Sequence, residues 1–264
     1  MSALSSVRWS FEEDLALWRE LGIGWAGLMS AKLGEDVPGR LALLADAGMQ
    51  ASTVVAPRFD LADPSSWDAS RRRLDRIVDA VADHGGWSVY LTPGRTTGAT
   101  WDEVLATLNR AMRPSVEHAR ERGVRLAFEP SQRIDVSFVN TLRDAVVVAE
   151  HTGLQIVADI CNCWMERDLA QVLADAAPHI GLVQIGDVAL GEVARADDPP
   201  AVHRVPFGDG IVELDRLLGY VRETGYQGPM EIELIGARVE QEGYASVICR
   251  GLSAADALLR RLAL

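Results

Sequence analysis

The sequence predicts an α/β fold, a single (β/α)8 barrel, on three observations. Short apolar runs alternate with longer amphipathic segments from one end of the chain to the other, the pattern of strands each followed by a helix. The 264 residues divide into eight such units with no Pro/Gly/Ser-rich linker or compositional break between them. At about 33 residues per unit this suits a barrel, whereas a doubly wound sheet usually stops at about five to seven strands. Glycines close several helices where a left-handed cap is cheap, at Arg122-Gly123, Thr152-Gly153 and Thr224-Gly225, each a few residues before a strand.

In chain order, the apolar run 3–7 is read as the first strand and the amphipathic stretch 11–21 as its helix. The same pairing recurs as strand 24–29 with helix 37–47, 50–55 with 67–84, and 87–92 with 101–122. It continues as 125–129 with 142–151, 155–159 with 166–176, 181–186 with 212–224, and 230–234 with 244–262. The whole of 1–264 is read as one domain. The long excursion 188–210, containing Asp197-Asp198-Pro199-Pro200, follows the seventh strand, which in a barrel places it on the catalytic face as a lid or substrate loop.

With 48% hydrophobic and 24% charged residues the chain can bury a large core, which excludes a disordered protein. Its 26 basic and 38 acidic residues give a net charge of −12. That sign repels phosphate backbones and anionic lipid, so nucleic-acid and membrane partners are disfavoured. Cys161, Cys163 and Cys249 are too few and too unevenly spaced for a disulfide framework, and Cys161-Asn-Cys163 reads as buried inert thiols. Acidic Glu12, Glu13 and Asp14 interrupt the stretch a signal peptide would need, and no uncharged apolar run of about 18 residues follows, so a cytoplasmic location is expected. Arg71-Arg72-Arg73 reads as a solvated helix face near Asp75 and Asp79.

Lower strand positions in a barrel are packed with branched apolar side chains, so an ionisable residue ending an apolar strand belongs at the mouth. The last four strands all end this way: 125–129 in Glu129, 155–159 in Asp159, 181–186 with Gln184 and then Asp187, and 230–234 with Glu231 and Glu233. Adjacent strands bring Glu129, Asp159, Gln184 and Glu233 together. Three crowded carboxylates repel one another unless a divalent cation reverses the cost. All-oxygen donors suit Mg²⁺, Mn²⁺ or Co²⁺ better than Zn²⁺.

These residues resemble the xylose-isomerase-like barrels, a family of sugar phosphate isomerases and epimerases with dehydratase relatives, and the likeness is strongest over 125–244. Phe128-Glu129-Pro130-Ser-Gln-Arg133-Ile-Asp135 resembles the ketose 3-epimerase stretch in which a metal-binding Glu-Pro precedes an Arg and an acidic substrate-binding residue. His203-Arg204-Val-Pro206-Phe-Gly208-Asp-Gly210 resembles the family's basic loop, and Gly225-Tyr226-Gln-Gly228-Pro229 with Glu233 its final strand. The resemblance implies metal ligation by Glu129, Asp159 and Glu233. Gln184 stands where the family usually presents a His, but Val183-Gln184-Ile-Gly-Asp187 resembles the Val-Gln-x-x-Asp strand of the 3-dehydroshikimate dehydratase branch, and an amide oxygen there can serve as a fourth donor. Asn162 replaces a second family His, three residues after Asp159. Trp164 would line an apolar wall.

The chemistry so implied is abstraction of a proton next to a carbonyl, with the metal on substrate oxygens. In an isomerase or epimerase acting on a keto-sugar or keto-polyol, Glu129 and Glu233 serve opposite faces as acid and base. In a dehydratase His203 is the candidate base. Arg204 or Arg133 would hold a phosphate, carboxylate or hydroxyl. Asp135 and Asn162 complete the implied substrate contacts. A barrel subunit without catalysis is the reading of another class, favoured by Asn162 and opposed by the three retained carboxylates. A DNA-repair reading fails on the five histidines and the net charge of −12. The resembled family supplies dimers and tetramers, so a homo-oligomer is among the implied states.

Overall fold

Seven of the expected strands hydrogen-bond side by side, all parallel, in a computed structural model that describes residues 1–96, 98–189 and 204–263. They are β1 (Trp25–Met29), β2 (Gln50–Val55), β3 (Ser88–Leu91), β4 (Arg125–Phe128), β5 (Gln155–Asp159), β6 (Ile180–Ile185) and β9 (Met230–Ile232), paired in that order. A two-residue antiparallel pair, β7 (Asp187–Val188) with β8 (Arg204–Val205), stands beyond β6. Each inner position alternates with one facing the helices. Tyr90, Ala127, Val157 and Leu182 fill the barrel axis, while the larger apolar cluster lies between the strands and the helices outside them.

The helices are α1 (Phe11–Glu20), α2 (Ser30–Leu33), α3 (Val37–Asp46), α4 (Trp67–Asp83), α5 (Trp101–Glu121) and α6 (Leu142–Thr152). They continue as α7 (Ile160–Cys163), α8 (Leu169–Ala176), α9 (Leu214–Glu223), α10 (Ala237–Glu242) and α11 (Tyr244–Leu262). Capping boxes start two of them, Ser10 with Glu13 at α1 and Thr100 with Glu103 at α5, each satisfying amide donors that a helix start leaves free. The anticipated terminating glycines Gly123, Gly153 and Gly225 all take positive φ, at 71°, 75° and 74°. None of the described helices is long and apolar enough to cross a membrane.

One strand is corrected. The run 3–7 does not form a strand; Ala3–Ser6 is a turn of 3-10 helix. Its serines divert the backbone: Ser2 Oγ accepts the Leu4 amide at 3.3 Å, Ser5 Oγ accepts the Leu234 amide at 2.9 Å, and Ser6 Oγ donates to Asp14. The eighth place in the ring is taken one step earlier. The Gly27 amide donates to the Met1 carbonyl and the Ser2 amide to the Ile232 carbonyl, both at 2.8 Å, so residues 1 and 2 bridge β1 and β9.

The helix expected from 166 starts at Leu169, because Asp168 sits at φ 60° and the Glu166 carboxylate turns away to accept the Leu142 and Arg143 amides at the start of α6. Most of the excursion expected over 188–210 falls on residues 190–203, which lie outside the described residues, and so does His203.

Candidate functional site

Register places the polar strand ends at one level. Asp159 on β5 pairs with Gln184 on β6, and Gln184 pairs with Glu231 on β9. The Glu129 amide donates to Leu91 O at 3.0 Å just past β4, and the Glu233 amide to Ile185 O at 3.0 Å just past β9. The side chains of Glu129, Asp159, Gln184 and Glu233 therefore gather at the C-terminal end of the barrel, with Glu231 a step below them. A cavity of about 1270 Å³ opens there, lined among others by Tyr90, Thr92, Glu129, Asn162, Arg204 and Glu233. Asp159 and Gln184, 1% and 0% exposed, lie beneath that lining.

The arrangement is bound together by nitrogen donors. The Arg204 guanidinium donates through Nη1 to Glu233 Oε1 at 2.7 Å and through Nη2 to Asp159 Oδ2. Asn162 Nδ2 donates to Asp159 Oδ2 at 2.8 Å and Glu129 Oε1 at 3.0 Å. Gln184 Nε2 lies 3.0 Å from Glu233 Oε2, 3.2 Å from Glu231 Oε1 and 3.4 Å from Tyr90 Oη, while Gln184 Oε1 is buried with no partner. Asn162 owes its place to α7, the helical turn that Asp159 starts by accepting the Cys161 amide at 3.0 Å.

Burial sets the electrostatics. It drives the Glu129 carboxyl well above the ordinary range, with Glu233 and Asp159 pushing the same way and Arg204 and Asn162 opposing. Burial likewise raises Glu233 to about 7 and raises Asp159, in both cases against the pull of Arg204. Desolvation works against the Arg204 charge and is outweighed by Asp159 and Glu233, so the guanidinium stays protonated.

The other anticipated residues fall at varying distances from this floor. Arg133 lines the cavity, bonded through Nε to Asp135 at 3.2 Å, and Asp135 itself is exposed. Trp164 is half-buried against the outer apolar cluster, not along the cavity. Cys161 and Cys163 are free and buried, and burial raises both thiols.

Two residues matter more than the strand-end pattern revealed. Glu231 is fully buried one step below Glu233, held by Ser52 Oγ at 2.7 Å and by Gln184. Asp187 accepts four backbone amides: Val188 and Val212 at Oδ1, at 2.9 and 3.0 Å, and Gly208 and Gly210 at Oδ2, at 3.0 and 3.1 Å. It thereby shapes the turn after Arg204, and Gly210 has no room for a Cβ, which would stand 2.1 Å from Asp187 Oδ1. An Asp with Gly-x-Gly twenty residues on is the only trace of this in the sequence. Asp187→Asn is expected to turn an amino group toward two of those amides and lower stability by about 3 kcal/mol or more, since hydrogen bonds to a charged acceptor are worth about 1.5–3 kcal/mol each. Urea denaturation of both proteins checks this, and an unchanged midpoint refutes it.

A sequence model of the xylose isomerase-like TIM barrel family matches residues 17–252. The L-ribulose-5-phosphate 3-epimerase of Salmonella paratyphi A is 28% identical over 159 residues, which is 58% of this chain and 49% of that protein. The match therefore spans about half the length of that curated relative. Among solved structures, a Sinorhizobium meliloti 1021 protein superposes with a TM-score of 0.84 at 22% identity, covering 98% of each chain. The IolI protein with a bound zinc atom superposes with a TM-score of 0.81 at 16% identity, covering 99% of this chain and 98% of that one. At these identities the structures share the fold.

Proposed function

From the premise that this chain belongs to the xylose isomerase-like TIM barrel family, we propose that it is a divalent-metal-dependent isomerase or epimerase of a keto-sugar or related keto-polyol. Residues 1–264 are read as its one domain. The observation that carries the reading is the pair Glu129 and Glu233. They come from the ends of β4 and β9, both open onto one cavity, and burial raises both, Glu233 to about 7 and Glu129 well above the ordinary carboxyl range.

The donor set fits a hard cation. It consists of carboxylate oxygens of Glu129, Asp159 and Glu233, with the unpartnered buried Oε1 of Gln184 as a neutral fourth. Such oxygens suit Mn²⁺, Mg²⁺ or Co²⁺. When bound, the ion supplies polarisation of the substrate's carbonyl and hydroxyl oxygens.

The chain's own residues do the rest. One glutamate takes the proton from the carbon next to the carbonyl, leaving an enediolate, and the other returns a proton to the opposite face. Asn162 carries no titratable proton, so it orients Glu129 and Asp159 through Nδ2 and leaves the proton work to the glutamates. Tyr90, Thr92 and Arg133 line the space a polyol would occupy, and Thr92 Oγ1 is buried without a partner, free to bond a substrate hydroxyl.

Incubation of the Mn²⁺-loaded protein with ketoses and keto-polyols in D₂O is expected to place deuterium on the carbon next to the carbonyl, and Glu129→Gln is expected to abolish it. Absence of exchange from every compound, with metal bound, overturns the reading.

A further inference from the structure

The chain holds a cation of its own at the place the proposed metal needs. Both oxygens of Asp159 are engaged, Oδ1 by the Cys161 amide and Oδ2 by Arg204 and Asn162. Both oxygens of Glu233 are engaged as well, Oε1 by Arg204 and Oε2 by Gln184 and Ser2. Arg204 is 4% exposed, and its guanidinium spans Asp159 and Glu233 on either side of Gln184. Among the described residues no three His, Cys, Asp or Glu side chains are grouped to hold a metal ion. A lone pair pointing at an N–H is not available to a metal, and two positive centres in one dry floor repel strongly.

Resting on the metal-dependent reading above, we propose that Arg204 and the divalent cation are mutually exclusive occupants of Asp159 and Glu233. Without metal, the guanidinium supplies the positive charge that keeps the acids together. On metal binding it leaves that position and turns into the cavity.

The geometry says which bonds move. The Arg204 backbone is fixed, its amide donating to Ile235 O at 2.7 Å and its strand β8 paired to β7, so the exchange is a side-chain rotation. Arg204 already lines the cavity, so the head group has open space on one side and needs no opening of the barrel. Once turned, it presents its donors to whatever lies in the cavity, which suits a substrate bearing oxygen-rich or anionic groups. The measured metal affinity is then lower than the intrinsic one by the fraction of protein in the guanidinium-out state.

Two measurements on the full chain test this. Calorimetric titration with MnCl₂ is expected to show Arg204→Gln binding at least tenfold tighter than the parent. That variant leaves two buried acids without their counter-charge, so the second measurement uses the parent alone. Phenylglyoxal labelling followed by peptide mass spectrometry is expected to find Arg204 protected without metal and labelled at least tenfold faster with saturating Mn²⁺, while exposed Arg58 reacts equally in both. Mn²⁺ binding with unchanged Arg204 labelling overturns the exchange and leaves the metal-dependent function standing. No Mn²⁺ binding by the parent or by a folded Arg204→Gln overturns the metal-dependent function and this inference with it.

Discussion

Glu233→Gln is expected to lower proton exchange by about a thousandfold, within the 10²–10⁴ that a positioned acid or base contributes. The substitution keeps the shape of the side chain and deletes three functions at once. A carboxamide cannot take the substrate proton. It offers one oxygen where the acid offered two, and its amino group faces either Arg204 Nη1 or Gln184 Nε2, both donors. Dialysed variant and parent are also expected to differ in bound metal, the variant holding much less. Equal exchange rates would show that Glu233 is not the base, and equal metal content in both would show that it is not a ligand. Measuring exchange and metal separately distinguishes loss of the proton carrier from loss of the ion.

Gly27→Ala is expected to cost about 3 kcal/mol of stability, the upper range for overpacking a closely packed interior. Gly27 sits in β1 where the register with β2 shifts, and a Cβ there would stand 2.1 Å from Glu231 Oε2 and 2.5 Å from Oε1. A long side chain usually escapes such a clash by swinging aside. Glu231 cannot do so cheaply, because it is enclosed within the barrel and its two donors, Ser52 Oγ and Gln184 Nε2, are the ones it would leave. Shortening the acid in Gly27→Ala/Glu231→Ser is expected to recover part of the loss, giving a coupling energy in a double-mutant cycle. Thermal unfolding of the four proteins checks this; a loss under about 1 kcal/mol for Gly27→Ala would mean the interior has slack.

The barrel was legible because strand and helix periods alternate in registers long enough to count, and because apolar strands ending in acids mark a mouth whichever residues fill the core. The misread first strand shows the limit of that signal. Its apolar residues are interleaved with serines, and whether a serine faces outward from a strand or bonds its own backbone depends on partners 229 residues away, such as Leu234 for Ser5. The grouping of Glu129, Asp159, Gln184 and Glu233 followed from strand order alone. The partner of Arg204 did not. A basic residue after a long excursion reads as a hand held out to a ligand, and only the pairing of β7 with β8 shows it turned inward onto Asp159 and Glu233. Glu231 was visible as a second acid on its strand, but the bare Gly27 opposite that admits it belongs to another strand more than 200 residues earlier.

The four amides gathered by Asp187, with the β7–β8 pairing and the bond from Arg204 to Ile235, pin both ends of residues 190–203 independently of what lies between them. Closing a segment between pinned ends costs only about 0.6 kcal/mol more for each doubling of its length. Changes in chain length between those flanks are therefore expected to leave the guanidinium in register with its two acids, at a closure cost small beside the bonds that hold the flanks.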